Sequence, residues 1–277
     1  MEFAKESLKE KKLYKFGAIN TKYLERASCI FKESKLYLPS PSQLNDPWEA
    51  KPQYCVGNLT DPSYRQKFIN YHLKQMLQLQ ENETRKKDIE NWLDNLPLEK
   101  AEELTRQAAL AYHESLKRYR ICSFSNNHTH LLMWAHYAVS HTGYCIEFDA
   151  NNDLFGESMK VDYEVDYPRL DWIDENHDKN LRIATLVKSD VWKYEGEYRL
   201  VGYEPHDQDS LSIKEHFLDF PPGCITGVMF GLDMPLEHKE LIANWLGARA
   251  NTQVKFKQAK LNHNCYKLDF EDTAVYV

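Results

Sequence analysis

The chain has 277 residues, 42% of them hydrophobic and 28% charged, with only 10 glycines and 11 prolines. That balance supports a sizeable core and excludes long disordered or low-complexity tracts. A formal net charge of −7 excludes strong electrostatic binding of nucleic acid, because phosphate contacts need a basic field, although a small local basic groove stays open. Six cysteines lie scattered without a C-x-x-C pair and read as reduced thiols. The opening MEFAKESLKEKKLYKF is charged, and no run reaches the length of a membrane span, so a cytoplasmic protein without a membrane segment is expected.

In chain order, LYKFG (13–17) predicts a short strand closed by glycine. NTKYLERASCIFKES predicts a helix capped by Asn20 or Thr21, with Tyr23, Leu24, Ala27 and Ile30 on one side. A strand at 35–38 runs into a loop punctuated by proline and serine that ends in NDPWE. Residues 63–120 are the most helical stretch. Within it Ala101, Leu104, Ala108, Ala111 and Leu116 recur at about the 3.6-residue period, and the stretch reads as a helical insertion.

RICSFS then predicts a strand, THLLMWAHYAVSH a compact helix, and GYCIEFD a strand entered through Gly143. MKVDYEVDYP predicts a further strand stopped by Pro168, and residues 180–204 a helix running into a strand. ITGVMFGLD, PLEHKELIANWLGAR, VKFKQAKLN and YKLDFEDTAVYV complete the chain as strand, helix, strand and strand. Strands crowd the second half without regular alternation with helices. The expected fold is therefore α+β, with mixed, mainly antiparallel central sheets in a single domain spanning 1–277, interrupted by the helical insertion at about 63–120.

Three stretches are candidates for chemistry. In LYLPSPSQLNDPWE, the side chains of Ser40, Ser42, Asn45 and Asp46 suit ligand contacts, but turn hydrogen bonds account for the same residues. In CSFSNNHTHLLMWAHYAVSH, four histidines suggest zinc, yet His136 and His141 are five apart and no acidic residue completes a ligand set, so no metal is expected. Trp134, His136 and Tyr137 of the same helix are candidates to line a pocket over CSFS, with an aromatic core helix as the alternative. The third stretch, VWKYEGEYRL, reads as a strand in which Lys193, Glu195, Glu197 and Arg199 share one face. Such a face is either ordinary solvated surface or the carboxylate end of an active site.

Taken in order, LYKF, LYLPSPSQLNDPWE, CSFS, LMWAHYAVSHTGYCIEFD, WKYEGEYRL and ITGVMFG resemble the bacterial domain-of-unknown-function family DUF2971, over about residues 13–232. The order of elements is also similar to the ADP-ribosyltransferase fold. That resemblance implies an enzyme that uses NAD as a substrate to modify a protein or nucleic-acid acceptor, as a bacterial toxin or phage-defence effector would. It implies that Lys15 takes the basic position on the first strand, where Arg or His is usual, and that Ser123 and Ser125 supply the serine strand. It further implies Glu197 as the catalytic glutamate, with Glu195 activating the acceptor. Trp134, His136 or Tyr137 would stack on nicotinamide, and Ser40, Asn45 and Asp46 would add cofactor contacts. Two alternatives stand beside it. One is a non-catalytic module that binds a nucleotide or partner through the 40–49 loop and the MWAHYA helix. The other is a hydrolase using Asp46, His136 and Glu197.

Overall fold

The computed structural model describes residues 11–77, 83–171, 173, 176–204, 216–248 and 253–275. The charged opening up to residue 10, the end of the expected 235–249 helix and the last two residues of the C-terminal strand lie outside them. Strand β1 (Lys12–Gly17) leads through a turn, in which the Asn20 carboxamide accepts from the Lys22 and Tyr23 amides, into α1 (Leu24–Ser28), whose N-cap is Tyr23 rather than the expected Asn20 or Thr21. The expected single helix here stops early: a π turn follows at Cys29–Glu33, and Ser34 adopts a left-handed φ of 57°. β2 (Lys35–Tyr37) and the short β3 (Gln53–Tyr54) flank the proline-rich loop.

The helical stretch comprises α2 (Pro62–Leu77), α3 (Glu83–Asp94) and α4 (Leu98–Leu116). β4 (Tyr119–Ser125), α5 (Leu131–Tyr137) and β5 (Tyr144–Asp149) follow. The helix expected over 129–141 is shorter than its pattern, because Val139, Ser140 and His141 all take positive φ. They swing the chain back toward β5, a conformation costly for a β-branched residue such as Val139. Gly143 completes that reversal where a Cβ would collide with the Gly17 carbonyl.

After α6 (Asp153–Gly156), the single strand expected up to Pro168 is broken into β6 (Met159–Lys160) and β7 (Asp162–Glu164), and β8 (Arg169–Leu170) follows the proline. α7 (His177–Leu186) passes into β9 (Val187–Ser189) and a 3-10 turn at Asp190–Glu195 before β10 (Glu197–Tyr203). β11 (Phe217–Asp219), β12 (Ile225–Phe230), α8 (Leu236–Gly247), β13 (Lys255–Leu261) and β14 (Leu268–Asp272) close the described chain.

Eight strands form the central sheet in the order β14-β13-β12-β5-β1-β4-β10-β6. All of its pairings are antiparallel except β12 with β13, which α8 joins as a parallel crossover. The α+β expectation with a mainly antiparallel central sheet agrees with this arrangement. One sheet face carries Leu13, Phe124, Ile146, Phe148, Leu200 and Phe230 against the π turn and α8, while the other packs Tyr14, Cys145 and Met229 around Trp134 of α5. The helical stretch has a core of its own. Phe68, Ile69, Leu93 and Leu116 gather there with Leu170 of β8 and Ala184 of α7.

One irregularity of the sheet positions the site. β1 pairs along its whole length with β5, and β4 along its whole length with β10, but β1 and β4 meet at a single position, Tyr14 opposite Ser125. The two halves of the sheet therefore splay apart, and backbone groups in the gap need other partners. Lys15 supplies one: its Nζ donates to the Ser123 carbonyl at 3.1 Å.

Candidate functional site

A cleft of about 130 Å³ opens where β1 and β4 diverge, and Lys15, Ser123, Ser125, Tyr137, Glu195 and Glu197 line it together with Asn45. Seven residues expected to act together on sequence grounds thus share one cavity. The geometry that brings the two glutamates there differs from the expected one. Glu195 does not sit in a strand. It ends the 3-10 turn, and Gly196 follows at φ 52°, packed so closely on the Asn126 carboxamide that a Cβ would overlap it. A non-glycine residue is disfavoured at such a φ and has no room here. Ser125 secures the turn: its Oγ donates to the Glu195 carbonyl at 2.5 Å and accepts from the Asn127 amide at 3.0 Å. The Glu197 amide donates to the Tyr163 hydroxyl at 2.9 Å.

The polar face expected on this segment is not solvated. Glu195 and Glu197 are each 3% exposed and Arg199 is 0% exposed, while Tyr198 and Leu200 on the other face join the main core. β10 is buried on both sides because β9, the 3-10 turn and the 46–50 loop cover the side that alternation assigns to water. Burying these charges is tolerable only because they are paired. Lys188 Nζ lies 2.6 Å from Glu195 Oε2, 2.9 Å from Glu197 Oε2 and 3.7 Å from Glu49 Oε1. Arg199 chelates Glu197 through Nε at 2.8 Å and Nη2 at 3.1 Å, and it pairs with Glu49 as well. Its Nη1 donates to the Thr185 carbonyl at 2.5 Å, at the C-terminal end of α7, where a helix favours a cation.

Lys188, Glu49 and Arg199 are the functional residues that sequence reasoning either missed or placed on a surface. Of the two same-face cations that could pair with the glutamates, Arg199 holds Glu197 while Lys193 is exposed. Lys188 takes its place from the junction of α7 and β9, where a lone cation follows the apolar Leu186 and Val187. That was the available signal. Glu49 belongs to the quoted NDPWE motif, but only the fold carries it to β10.

The electrostatics follow from burial and count. Three carboxylates (Glu49, Glu195, Glu197) face two cations (Lys188, Arg199), leaving one excess negative charge when all are ionised. Desolvation raises the Glu197 carboxyl above the usual range, although Lys188 and a hydrogen bond from Ser123 work the other way. Burial acts to lower Lys188, but the facing Glu197 and Glu195 outweigh it and hold the ammonium above the ordinary lysine value. Tyr137 donates to Glu195 Oε1 at 2.5 Å, and burial followed by the Glu195 charge pushes its phenol up. Asn45 Nδ2 reaches the same phenol at 3.4 Å.

The other expected site residues lie elsewhere. Trp134 does not line the cleft: it is fully buried against Phe16 and Phe270, and its Nε1 donates to the His128 carbonyl at 2.6 Å. His136 is exposed and faces a neighbouring cavity that shares Lys15, Phe16 and Tyr137 with the cleft and extends to Arg26 and Tyr37. Ser40 spends its groups on the turn, in a capping box with Gln43 and a 3.0 Å contact with Ser42. Asp46 is held by the Trp48 amide and by Trp192 Nε1 at 2.8 Å, behind the ion cluster. The four clustered histidines have separate surroundings: His128 rests against Tyr14 and Phe270, His130 stacks on Tyr194, and His141 stacks near Trp134. Among the described residues no group of three or more His, Cys, Asp or Glu is arranged to hold a metal, and no helix is long and apolar enough to cross a membrane.

A family model described as "Protein of unknown function (DUF2971)" matches residues 133–200, a narrower stretch than the resemblance over about 13–232. The matched stretch contains Tyr137, Lys188, Glu195, Glu197 and Arg199. No curated protein and no solved structure matches the chain.

Proposed function

We propose that the chain is an ADP-ribosyltransferase-like enzyme that takes NAD into the cleft between β1 and β4 and transfers ADP-ribose to an acceptor. The observation that carries this reading is the ion cluster. Two carboxylates stand at the wall of a cleft, fixed by Lys188 and Arg199, with one more negative than positive charge among the five side chains. Breaking the nicotinamide–ribose bond sends the electron pair to the departing nicotinamide and leaves positive charge on the ribose, as in glycoside hydrolysis. A preorganised excess of negative charge in a dry wall stabilises that charge without reorganisation. The acceptor then forms its bond to the ribose carbon and releases a proton.

The two carboxylates divide the work unequally. Glu197 has both oxygens engaged by Lys188 and Arg199. Glu195 has one oxygen on Lys188 and the other on the Tyr137 phenol, which also faces the cleft. Glu195 is thus the carboxylate that can exchange a partner for a ribose hydroxyl, and Glu197 supplies fixed charge behind it. The cavity beyond Tyr137 continues past Lys15 to Arg26, whose guanidinium lies 3.9 Å over the Tyr37 ring. An elongated ligand with anionic phosphates in its middle suits that run of charge and aromatic surface.

Labelled NAD with wild type, Glu195→Gln and Glu197→Gln tests the reading. Loss of transfer by about 100-fold in Glu195→Gln is expected, the scale of removing one preorganised electrostatic contact. Equal transfer by all three proteins sinks it. A second reading has its own support: every cluster carboxylate already has a cationic partner, as in a purely structural brace. In that case NAD neither raises the melting temperature of the protein nor releases nicotinamide.

A further inference from the structure

Behind the ion cluster lies a second hollow of about 150 Å³. Glu49 and Lys188 are buried at its base and also line the cleft, so the two cavities share a wall. Its rim is exposed and consists of Trp48, Glu164, Asp166 and Tyr167. Trp48 is 67% exposed and stands edge-on to Tyr167 at 5.7 Å, and Val165 between the two acids is 82% exposed. Packing does not account for an indole left this open. Aromatic side chains are the commonest anchors of binding surfaces, and a cation over an aromatic face gains both electrostatic and contact energy.

The charges at the rim are also available. Among the described residues neither Glu164 nor Asp166 takes part in an ion pair. The nearby cations are directed elsewhere: Lys188 faces Glu195 and Glu197, and Lys51 Nζ donates to the Pro47 carbonyl at 2.9 Å. Arg169 stands exposed just past Pro168, and Lys179 and Arg182 line a further cavity with Glu164, where Arg182 pairs with Asp162 at 2.9 Å. An acidic rim around two aromatic rings repels a phosphate backbone and attracts a guanidinium or ammonium.

We infer that this hollow receives an arginine or lysine side chain from a basic segment of a protein partner. The two carboxylates meet the charge, and Trp48 and Tyr167 cover the aliphatic stem. Because the hollow shares its base with the cleft, the partner it holds is the acceptor, and the acceptor is a protein rather than a nucleic acid. That last step rests on the transferase reading; the docking itself does not.

The test titrates a short arginine- and lysine-rich peptide into the whole protein, followed by tryptophan fluorescence and calorimetry. A glutamate-substituted counterpart and a single-stranded oligonucleotide of equal length serve as competitors. The basic peptide is expected to bind alone of the three, and to weaken at least tenfold both in Glu164→Gln/Asp166→Asn and in Trp48→Ala. All of these positions are exposed, and circular dichroism checks that each variant keeps its fold. Trp48→Ala separates docking from diffuse attraction to an acidic protein, because it leaves the net charge unchanged. Unaltered peptide affinity in either variant overturns the inference, and so does tighter binding of the oligonucleotide. Labelled NAD in the same mixtures separates the two proposals. Peptide bound but never labelled leaves the docking standing and sinks the transferase. Label transferred equally by wild type and Trp48→Ala does the reverse.

Discussion

At Lys188 a single ammonium, 5% exposed, faces the carboxylates of Glu195, Glu197 and Glu49. A buried ion pair adds modest net stability compared with a packed apolar substitute, but removing one partner strands the others in a medium that cannot solvate them. Lys188→Met is therefore expected to lower unfolding free energy by about 3–5 kcal/mol in urea denaturation. Lys188→Arg, which keeps the charge, should lose less. Equal and small losses for the two variants would show that the cluster is wetter than its burial indicates. Arg199 does not take over the role of Lys188, because its guanidinium is already spread over Glu197, Glu49 and the Thr185 carbonyl.

Among elements, α7 and β9 connect the helical lobe to the site. α7 contributes Ala184 to the core shared with α2, α3 and α4, and two residues after its end the chain delivers Lys188 to the cluster. The lobe thus braces the segment that holds both glutamates. Its stability carries a pH signature through His72 of α2, which is 4% exposed and rests beside Phe68. Burial pulls its imidazole down to about 4. In acid the unfolded chain takes up this proton near its ordinary value, while the folded chain does not until near pH 4. Stability from this group is therefore complete above about pH 6.5 and is lost as pH falls toward 4. His72→Leu should flatten the wild-type decline by up to about 1.4 kcal/mol per pH unit in that window, as measured by denaturation at several pH values. An unchanged slope would mean that His72 titrates normally in the fold.

For the whole molecule, the decisive feature is a sheet that is continuous in hydrogen bonding yet divided in shape. Five strands on one side and three on the other meet only at Tyr14 and Ser125. Lys15 closes the gap by a bond to the Ser123 carbonyl rather than by packing, and it stands 5.4 Å from the Phe124 ring. A ligand entering the cleft meets that ammonium where the strands part. Under the NAD reading, Lys15→Ala should weaken binding about tenfold in calorimetry, the scale of one charge-assisted hydrogen bond, with little change in melting temperature. Unchanged affinity would remove Lys15 from the ligand's path.

Alternation and turn chemistry made most elements legible in advance. The apolar ITGVMF run, the 3.6-residue pattern of α4 and the Asn20 turn each depend on neighbours a few residues away, and each appears in the fold. Periodicity failed at Glu195, where a 3-10 turn and a left-handed Gly196 replace the expected strand phase. It also failed at Arg199, whose seemingly wet face lies under the 46–50 loop and β9. Local sequence encodes the dihedral preferences and the apolar stripe of each element. Which charges meet is another matter: Glu49 is far along the chain from Lys188 and Glu195, and the three become neighbours only when the sheet, the loop and α7 pack together. The cost of burying a lone charge then makes their pairing obligatory, and that constraint exists only in the tertiary structure.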